Sequence, residues 1–464
     1  MTTAITVGSV KDTELGNTLI RAHLENPKAG TSGITTLVVS GWVVSPRVRV
    51  ESTRVFMGTT LLAEGPLDRP RPDLAFGGPT PLAGFQVRIN ALNLPREFTC
   101  RVIAQAANGI DFELGTFDGS RGCLDLPRSG TLQPLLVTCL GRTGSTWLVR
   151  LLSCHPEIVC YRPFAHEARV ASYWAAVFAS LSSAASVSQL LDPTDLHSKN
   201  WWIGRELDAA VLPDESAKWA VEDHLQSLAD FCRDRVESFY RQLAGAVAGT
   251  RFFGEKYAPG ESIDPLCELY PGLRELVLVR DFRDMAASVF AFNNKRGYLA
   301  FGRECVRTDE EYVRRLAQRD TADLLSHWEQ RRNEALLVRY EDLVVKLGVT
   351  LQSVFEAIGV ANDETTISRV IASASEKIPA MEFHQTSTDM ASSIGRWRDL
   401  PASLRRLVNR ELGEVLSKFG YEDGDMVPSR IRHESTAKDR PIPRLADVHL
   451  VTGSGDQLTH AGPE

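Results

Sequence analysis

Between Thr35 and about Phe117, apolar and polar residues alternate with a period close to two. The segments TTLVVSGWVV, RVRVESTRVFMG, GFQVRINAL and FTCRVIAQA each send every second side chain to one face. Turns containing Gly and Pro separate them and no long helical stretch intervenes, which predicts a small antiparallel β-sandwich over residues 34–118. Residues 1–33 carry no sustained period and are expected to be weakly structured. The stretch DGSRGCLDLPRSGTLQP is rich in Gly, Ser and Pro, and residues 119–133 read as a linker.

After Pro134 the pattern changes. Apolar runs (LLVTCL, RFFGEK, LRELVLVR, ALLVRY) now alternate with segments of helical period, the first helix starting at about Ser145. Buried strands spaced by helices predict a parallel sheet covered on both faces, an α/β domain over 134–423. PASLRRLVNRELGEVLSKFGY (401–421) is its last expected helix. Residues 424–464 are polar and aperiodic and read as a mostly disordered tail.

Composition narrows the function. With 464 residues the chain has room for two or three domains, and 43% hydrophobic with 24% charged residues is an ordinary globular mixture. A net charge of −7 argues against a general nucleic-acid binder, though not against a local basic pocket. No window reaches the roughly 18 consecutive apolar residues of a membrane span. The start, MTTAITVGSVKDTE, lacks the basic and apolar regions of a secretory signal. Eight cysteines are scattered singly, with no metal-ligand spacing and no disulfide framework, so a reducing, cytoplasmic location and no metal site are expected.

Chemistry first appears in LLVTCL-GRTGSTW-LVRLL (135–152), where a buried strand runs through Gly141, Arg142, Thr143, Gly144, Ser145 and Thr146 into an apolar helix. Glycines let the backbone curl and aim its N–H groups, the helix N-terminus adds partial positive charge, and hydroxyls at the first turn donate. Arg142 adds a permanent cation with a planar donor fork. The Lys before Ser/Thr that a nucleoside triphosphatase loop requires is missing, so Mg²⁺–ATP chemistry is disfavoured. A second anion site is legible in LRELVLVRDFRDMAASVFAFN (273–293). Arg280 ends a buried strand, and Ser288, eight residues on, lies about one turn into the next helix, so the two can converge at the strand's C-terminal end.

These two segments, about 140 residues apart, resemble the cofactor loops of the sulfotransferase superfamily. GRTGSTWLVRLL followed by CHPEI is similar to the family's 5′-phosphosulfate loop, and Arg280 with Ser288 to its 3′-phosphate site. The resemblance implies a P-loop-like α/β domain that takes 3′-phosphoadenylyl sulfate (PAPS) as donor and releases 3′-phosphoadenosine 5′-phosphate. Arg142, Thr143, Gly144, Ser145, Thr146 and Trp147 would then hold the donor's phosphosulfate end. HWEQRRNEALLVRYEDLV (327–344) is similar to the family's Trp-containing helix and following strand, which implies Tyr340 near the adenine. SSIGRWRDLPASLRRLVNRELGEVLSKFGY (392–421) resembles the segment that closes over the donor, with Thr388, Ser392, Gly395 and Arg396 in the neighbourhood of the 3′-phosphate. The resemblance covers roughly residues 134–423.

Sulfuryl transfer needs positioned donors for the charge that builds up and a base for the acceptor proton. Arg142 is assigned to charge stabilisation. For the base, YRPFAHEARVASYW (161–174) offers His166 and Glu167, with Glu167 preferred, and FFGEKYAP (252–259) offers Glu255 as a rival, with Lys256 beside the leaving phosphate. Residues 186–232 read as a cap over the acceptor, with Trp201 and Trp202 able to stack on it. SGWVVSP (40–46), DRPRPDLAFGG (68–78) and AGFQVRI (83–89) together resemble a β-sandwich module found beside bacterial polysaccharide-linked glycosyltransferases, which tilts the small-molecule or glycan acceptor toward carbohydrate or glycolipid. Self-association stays open. Two other readings survive: an ATP-dependent transferase of the P-loop kind, and a glycan-binding protein without activity.

Overall fold

The N-terminal alternation builds two antiparallel sheets around one core. The larger has the order β3 (Ser32–Gly33), β1 (Ile5–Asp12), β10 (Asp111–Arg121), β9 (Glu97–Ala106), β5 (Val50–Met57) and β6 (Thr60–Pro66). The smaller has the order β2 (Arg21–Asn26), β4 (Thr36–Val44), β8 (Leu82–Asn90) and β7 (Arg69–Pro70). The register sets Leu37 opposite Ile89 and Val39 opposite Val87, and all four are buried in a core shared with Ile5, Val55, Cys100 and Val102 of the other sheet. This computed structural model describes residues 5–421 apart from 14–20, 31, 34–35, 46–47, 59, 75–80, 125, 127–131, 183–223, 246–248, 260–262, 377–384 and 388. The stretch expected as a tail therefore lies outside the described residues, as do Trp201 and Trp202 and residues 186–223 of the expected cap.

Residues 1–33 are not weakly structured throughout, since they supply β1, β2 and β3, and Ile5, Val7 and Leu24 are core residues. The local period missed them because β1 breaks step at a bulge between Val7 and Ser9, and its partner β10 lies more than a hundred residues away. Nor does 119–133 behave as a free linker. β10 continues to Arg121, and Leu124, Leu126 and Leu132 are buried with Phe178, Tyr240 and Tyr270 of the α/β domain. Arg121 donates to Glu268 at 2.8 Å, with both side chains only 3% exposed. Gly and Pro signalled irregular backbone here, but the interspersed leucines carried the packing.

The α/β domain has the expected parallel sheet, ordered β12 (Ile158–Cys160), β13 (Phe252–Tyr257), β11 (Gln133–Cys139), β14 (Arg274–Val279) and β15 (Ala335–Arg339). The inner strands β13, β11 and β14 are buried on both faces, which is why they read as continuous apolar runs. Leu135, Val137, Leu276 and Leu278 pack with Leu148, Val149 and Leu152 of α1 (Ser145–Ser153) on one side. Val277 and Val279 pack on the other side with Phe282, Met285 and Val289 of a helix over Phe282–Arg296, and with Leu404, Val408 and Leu412 of a helix over Ala402–Lys418. The chain leaves β11 toward one edge of the sheet and later returns to fill the other. The C-terminal ends of β13, β11 and β14 thus border the crevice where open α/β sheets bind ligands.

No helix among the described residues is long and apolar enough to cross a membrane, and no group of three metal-ligating side chains occurs among them. All eight cysteines are free thiols.

Candidate active site

β11 ends at Cys139 and the chain turns through Gly141–Gly144 into α1. Gly144 caps the helix with φ 92°, a left-handed conformation that a side chain resists. The space is closed as well, because a Cβ there would lie 2.3 Å from Cδ2 of Tyr340. Glycine is therefore required twice, by its backbone angle and by the ring laid against it. Thr143 is fully buried and spends its hydroxyl on the Leu140 carbonyl at 2.8 Å, so it shapes the loop. Trp147 packs against the core while its indole N–H is buried without a hydrogen-bond partner among the described residues.

From β14, Arg280 reaches back to this loop. Its guanidinium donates to the Arg142 carbonyl at 3.0 Å and the Ser393 carbonyl at 2.6 Å, and lies 4.7 Å from the centre of the Tyr340 ring. Ser288 is 1% exposed, and its Oγ accepts from Nε of Arg142 at 3.2 Å. Thr386 joins them. Its Oγ1 lies 3.4 Å from Ser288 Oγ and accepts from Arg142 at 3.4 Å and from Arg396 at 2.8 Å. Arg142 thus bonds both hydroxyls and Arg396 one of them at the end of β14, with Arg280 held beside them through the Arg142 and Ser393 carbonyls. Burial, and then the proximity of Arg280 and Arg396, pushes the Arg142 guanidinium down to about 10. Arg396 is lowered too, by burial and then by Arg280. Two buried guanidinium groups whose basicity falls through burial and then through a neighbouring cation are chemically suited to an anion.

The segment bearing Ser393 and Arg396 is pinned by Asp284, which is fully buried and accepts the N–H groups of Gly395 at 2.7 Å and Trp397 at 2.9 Å. The Gly395 amide is thereby spent on the protein itself. Tyr340 donates to or accepts from Ser393 Oγ at 2.9 Å. Nothing in the sequence marks Thr386 and Ser393; of the hydroxyl residues expected here, Thr388 lies outside the described residues and Ser392 closes a local turn with Asp389. Hydroxyl residues crowd this segment and no local rule ranks them.

At the other end of the loop, Lys256 of β13 donates to Thr146 Oγ1 at 2.9 Å, to the Ala165 carbonyl at 2.7 Å and to Glu167 at 3.0 Å. Glu167 is 60% exposed and therefore reachable. His166 is 4% exposed; its Nδ1 lies 3.0 Å from the Tyr161 carbonyl, while Nε2 is buried with no partner among the described residues. Donation from Nδ1 to that carbonyl leaves the Nε2 lone pair free, and burial lowers the ring below its ordinary value, favouring the neutral form. Glu255 does not join them. It is fully buried and accepts the N–H groups of Ala171 at 2.8 Å and Ser172 at 3.4 Å, in the first turn of α2 (Val170–Leu181), together with the Tyr240 hydroxyl. Alternation along β13 sends Glu255 and Lys256 to opposite faces, so adjacency in sequence did not mean adjacency at the site.

A cavity of about 280 Å³ opens beside the loop, lined by Gly141, Ala258, Phe301, Tyr312, Arg315, Asp320 and Asp323, among others. Phe301 also flanks Arg142, 5.6 Å from ring centre to guanidinium.

Residues 134–364 match the family model described as the sulfotransferase family, a span that contains both anion loops and Tyr340. Among solved structures, the chain is similar to the sulfotransferase domain of the olefin synthase from Synechococcus PCC 7002, at 18% identity and a TM-score of 0.36, covering 64% of this chain and 98% of that one. It is also similar to a sulfotransferase from Alicyclobacillus acidocaldarius, at 14% identity and a TM-score of 0.33, covering 64% and 94%. A third is retinol dehydratase in complex with androsterone and inactive cofactor PAP, at 15% identity and a TM-score of 0.33, covering 71% and 92%. Curated proteins provide no match. The family assignment rests on the sequence match over 134–364 and not on these distant likenesses.

Proposed function

The α/β domain being that of a sulfotransferase, we propose that this enzyme uses 3′-phosphoadenylyl sulfate as donor and a hydroxyl or amine of a carbohydrate or glycolipid as acceptor. The observation that carries the donor assignment is that Arg142 and Arg396 bond Ser288 and Thr386 while Arg280 holds the Arg142 carbonyl, beside a glycine-shaped helix N-terminus. One doubly anionic nucleotide fits such a pair of sites.

When bound, the donor supplies an activated sulfuryl group that an acceptor oxygen or nitrogen attacks in line. The chain's own part is to bind, orient and move one proton. Ser145 and Thr146, the loop amides and Lys256 would hold the phosphosulfate end, while Arg280, Ser288 and Arg396 would hold the 3′-phosphate. Glu167, reachable and tied by Lys256 to Thr146, is the general base in this reading. His166 is the second candidate, favoured by its free Nε2 lone pair. The glycan assignment draws on the N-terminal resemblance and on the cavity beside Gly141, whose Asp320 and Asp323 carboxylates suit sugar hydroxyls and whose Phe301 suits a sugar face. Eight free thiols fit a cytoplasmic location.

A thermal-shift titration with 3′-phosphoadenosine 5′-phosphate tests the donor. At 100 times the dissociation constant the nucleotide should add about 2.7 kcal/mol of stability, and Arg280→Ala should lose most of that gain. Stronger protection by ATP with Mg²⁺ would instead point to an ATP-dependent transferase.

A further inference from the structure

We infer that Arg142, although it belongs to the loop at the phosphosulfate end, reads the donor's 3′-phosphate and sets the preference for a 3′-phosphorylated nucleotide. This inference rests on the donor assignment above. From its place in the loop, Arg142 would be expected to face the transferred group. Its side chain runs the other way, onto the helix over Phe282–Arg296. Nε donates to Ser288 Oγ at 3.2 Å, and a terminal nitrogen donates to Thr386 Oγ1 at 3.4 Å. The guanidinium is flanked by aromatic rings, 4.9 Å from the centre of Phe292 and 5.6 Å from that of Phe301. The backbone follows the same course. Arg142 sits at φ 66°, in the left-handed region that costs an L-residue about 1 kcal/mol or more, and its carbonyl is held by Arg280 at 3.0 Å. Such a conformation persists when its surroundings over-determine it, as contacts at both ends of this residue do.

Charge points the same way. Burial first, and then the Arg280 and Arg396 cations, lower the Arg142 guanidinium, and burial and then Arg280 lower that of Arg396, a cost that a phosphate monoester, with a charge of about −1.5 to −2, offsets better than a singly charged sulfuryl group. The reacting end does not lose its cation, because Lys256 stands there, bonded to Thr146. Arg142 therefore acts in this scheme as a specificity residue for the nucleotide, with Lys256 serving the transferred group.

Calorimetric titration of the full-length chain with 3′-phosphoadenosine 5′-phosphate and, separately, with adenosine 5′-monophosphate tests this. The two probes differ only in the 3′-phosphate. Wild type should prefer the first. Arg142→Gln should weaken the first by about 10- to 100-fold, the loss expected for charge-assisted hydrogen bonds, and leave the second within about threefold. Retained binding of the monophosphate also shows that the variant is folded. Arg142→Lys, which keeps the cation and loses the fork, should fall between the two; it replaces the Gln variant if that fails to fold. An equal loss for both nucleotides would put Arg142 at the 5′-phosphate and overturn the inference, as would unchanged affinity for the first. Equal binding of both by wild type would instead overturn the donor assignment, and this inference with it.

Discussion

The Asp284 carboxylate accepts the Gly395 N–H at 2.7 Å, and this bond ties the segment carrying Ser393 and Arg396 to the helix that presents Ser288. The same carboxylate takes the Trp397 N–H, so one side chain holds the start of a short turn at two points. Asp284→Ala should leave two N–H groups without their acceptor and lower stability by about 3 kcal/mol, with nucleotide affinity falling alongside. Urea unfolding and nucleotide titration read the two effects. A variant as stable as wild type would mean that the segment is held by something else.

Gly144→Ala should be worse than an ordinary loop substitution. It forces a Cβ into the left-handed region and against the Tyr340 ring. Expected is a loss of at least about 1 kcal/mol of stability and of most nucleotide binding. Adding Tyr340→Ala should restore part of the stability by clearing the clash. If the double variant is no better than the single one, the contact is not the cause.

The two base candidates separate by turnover and pH profile. Glu167→Gln should lower turnover by about 100-fold or more while nucleotide affinity holds. If His166 is the base instead, Glu167→Gln stays near wild type. Activity should then fall on the acid side only below pH 6.5, because burial lowers the ring from that value and its lone pair is available until it titrates.

Glu255→Gln gives the opposite signature. Burial raises the Glu255 carboxyl from 4.5 to about 7, so the folded chain binds this proton more tightly than the unfolded one. The associated stability is fully present below pH 4.5 and is lost as the pH rises through about 7. Relative to wild type, the Gln variant should gain stability over that window, by up to roughly 3 kcal/mol, and keep near-normal turnover. A 100-fold loss of turnover would return Glu255 to the reaction.

Arg121→Ala should destabilise the α/β domain as well as the N-terminal sheets. It leaves the buried Glu268 carboxylate without its cation, a change that typically costs 3–5 kcal/mol. Wild type should unfold in one transition by both fluorescence and far-ultraviolet circular dichroism. Two separate transitions would show that the N-terminal sheets fold independently.

The amino-acid sequence alone determined what is local. Alternation over Thr36–Val44 and Glu97–Ala106 announced strands, the continuous apolar runs at Gln133–Cys139 and Arg274–Val279 announced a doubly covered parallel sheet, and the glycines and hydroxyls of 141–146 announced an anion loop. Each follows from side-chain period or backbone freedom, which neighbouring residues settle among themselves. Only the tertiary structure decided which residues meet. It turned Arg142 toward Ser288, 146 residues away, brought in Thr386 and Ser393, and parted Glu255 from Lys256. It also made core of the leucines in the expected linker and strands of the expected loose N-terminus. Those outcomes depend on contacts between segments far apart in the chain, and no short-range period encodes them.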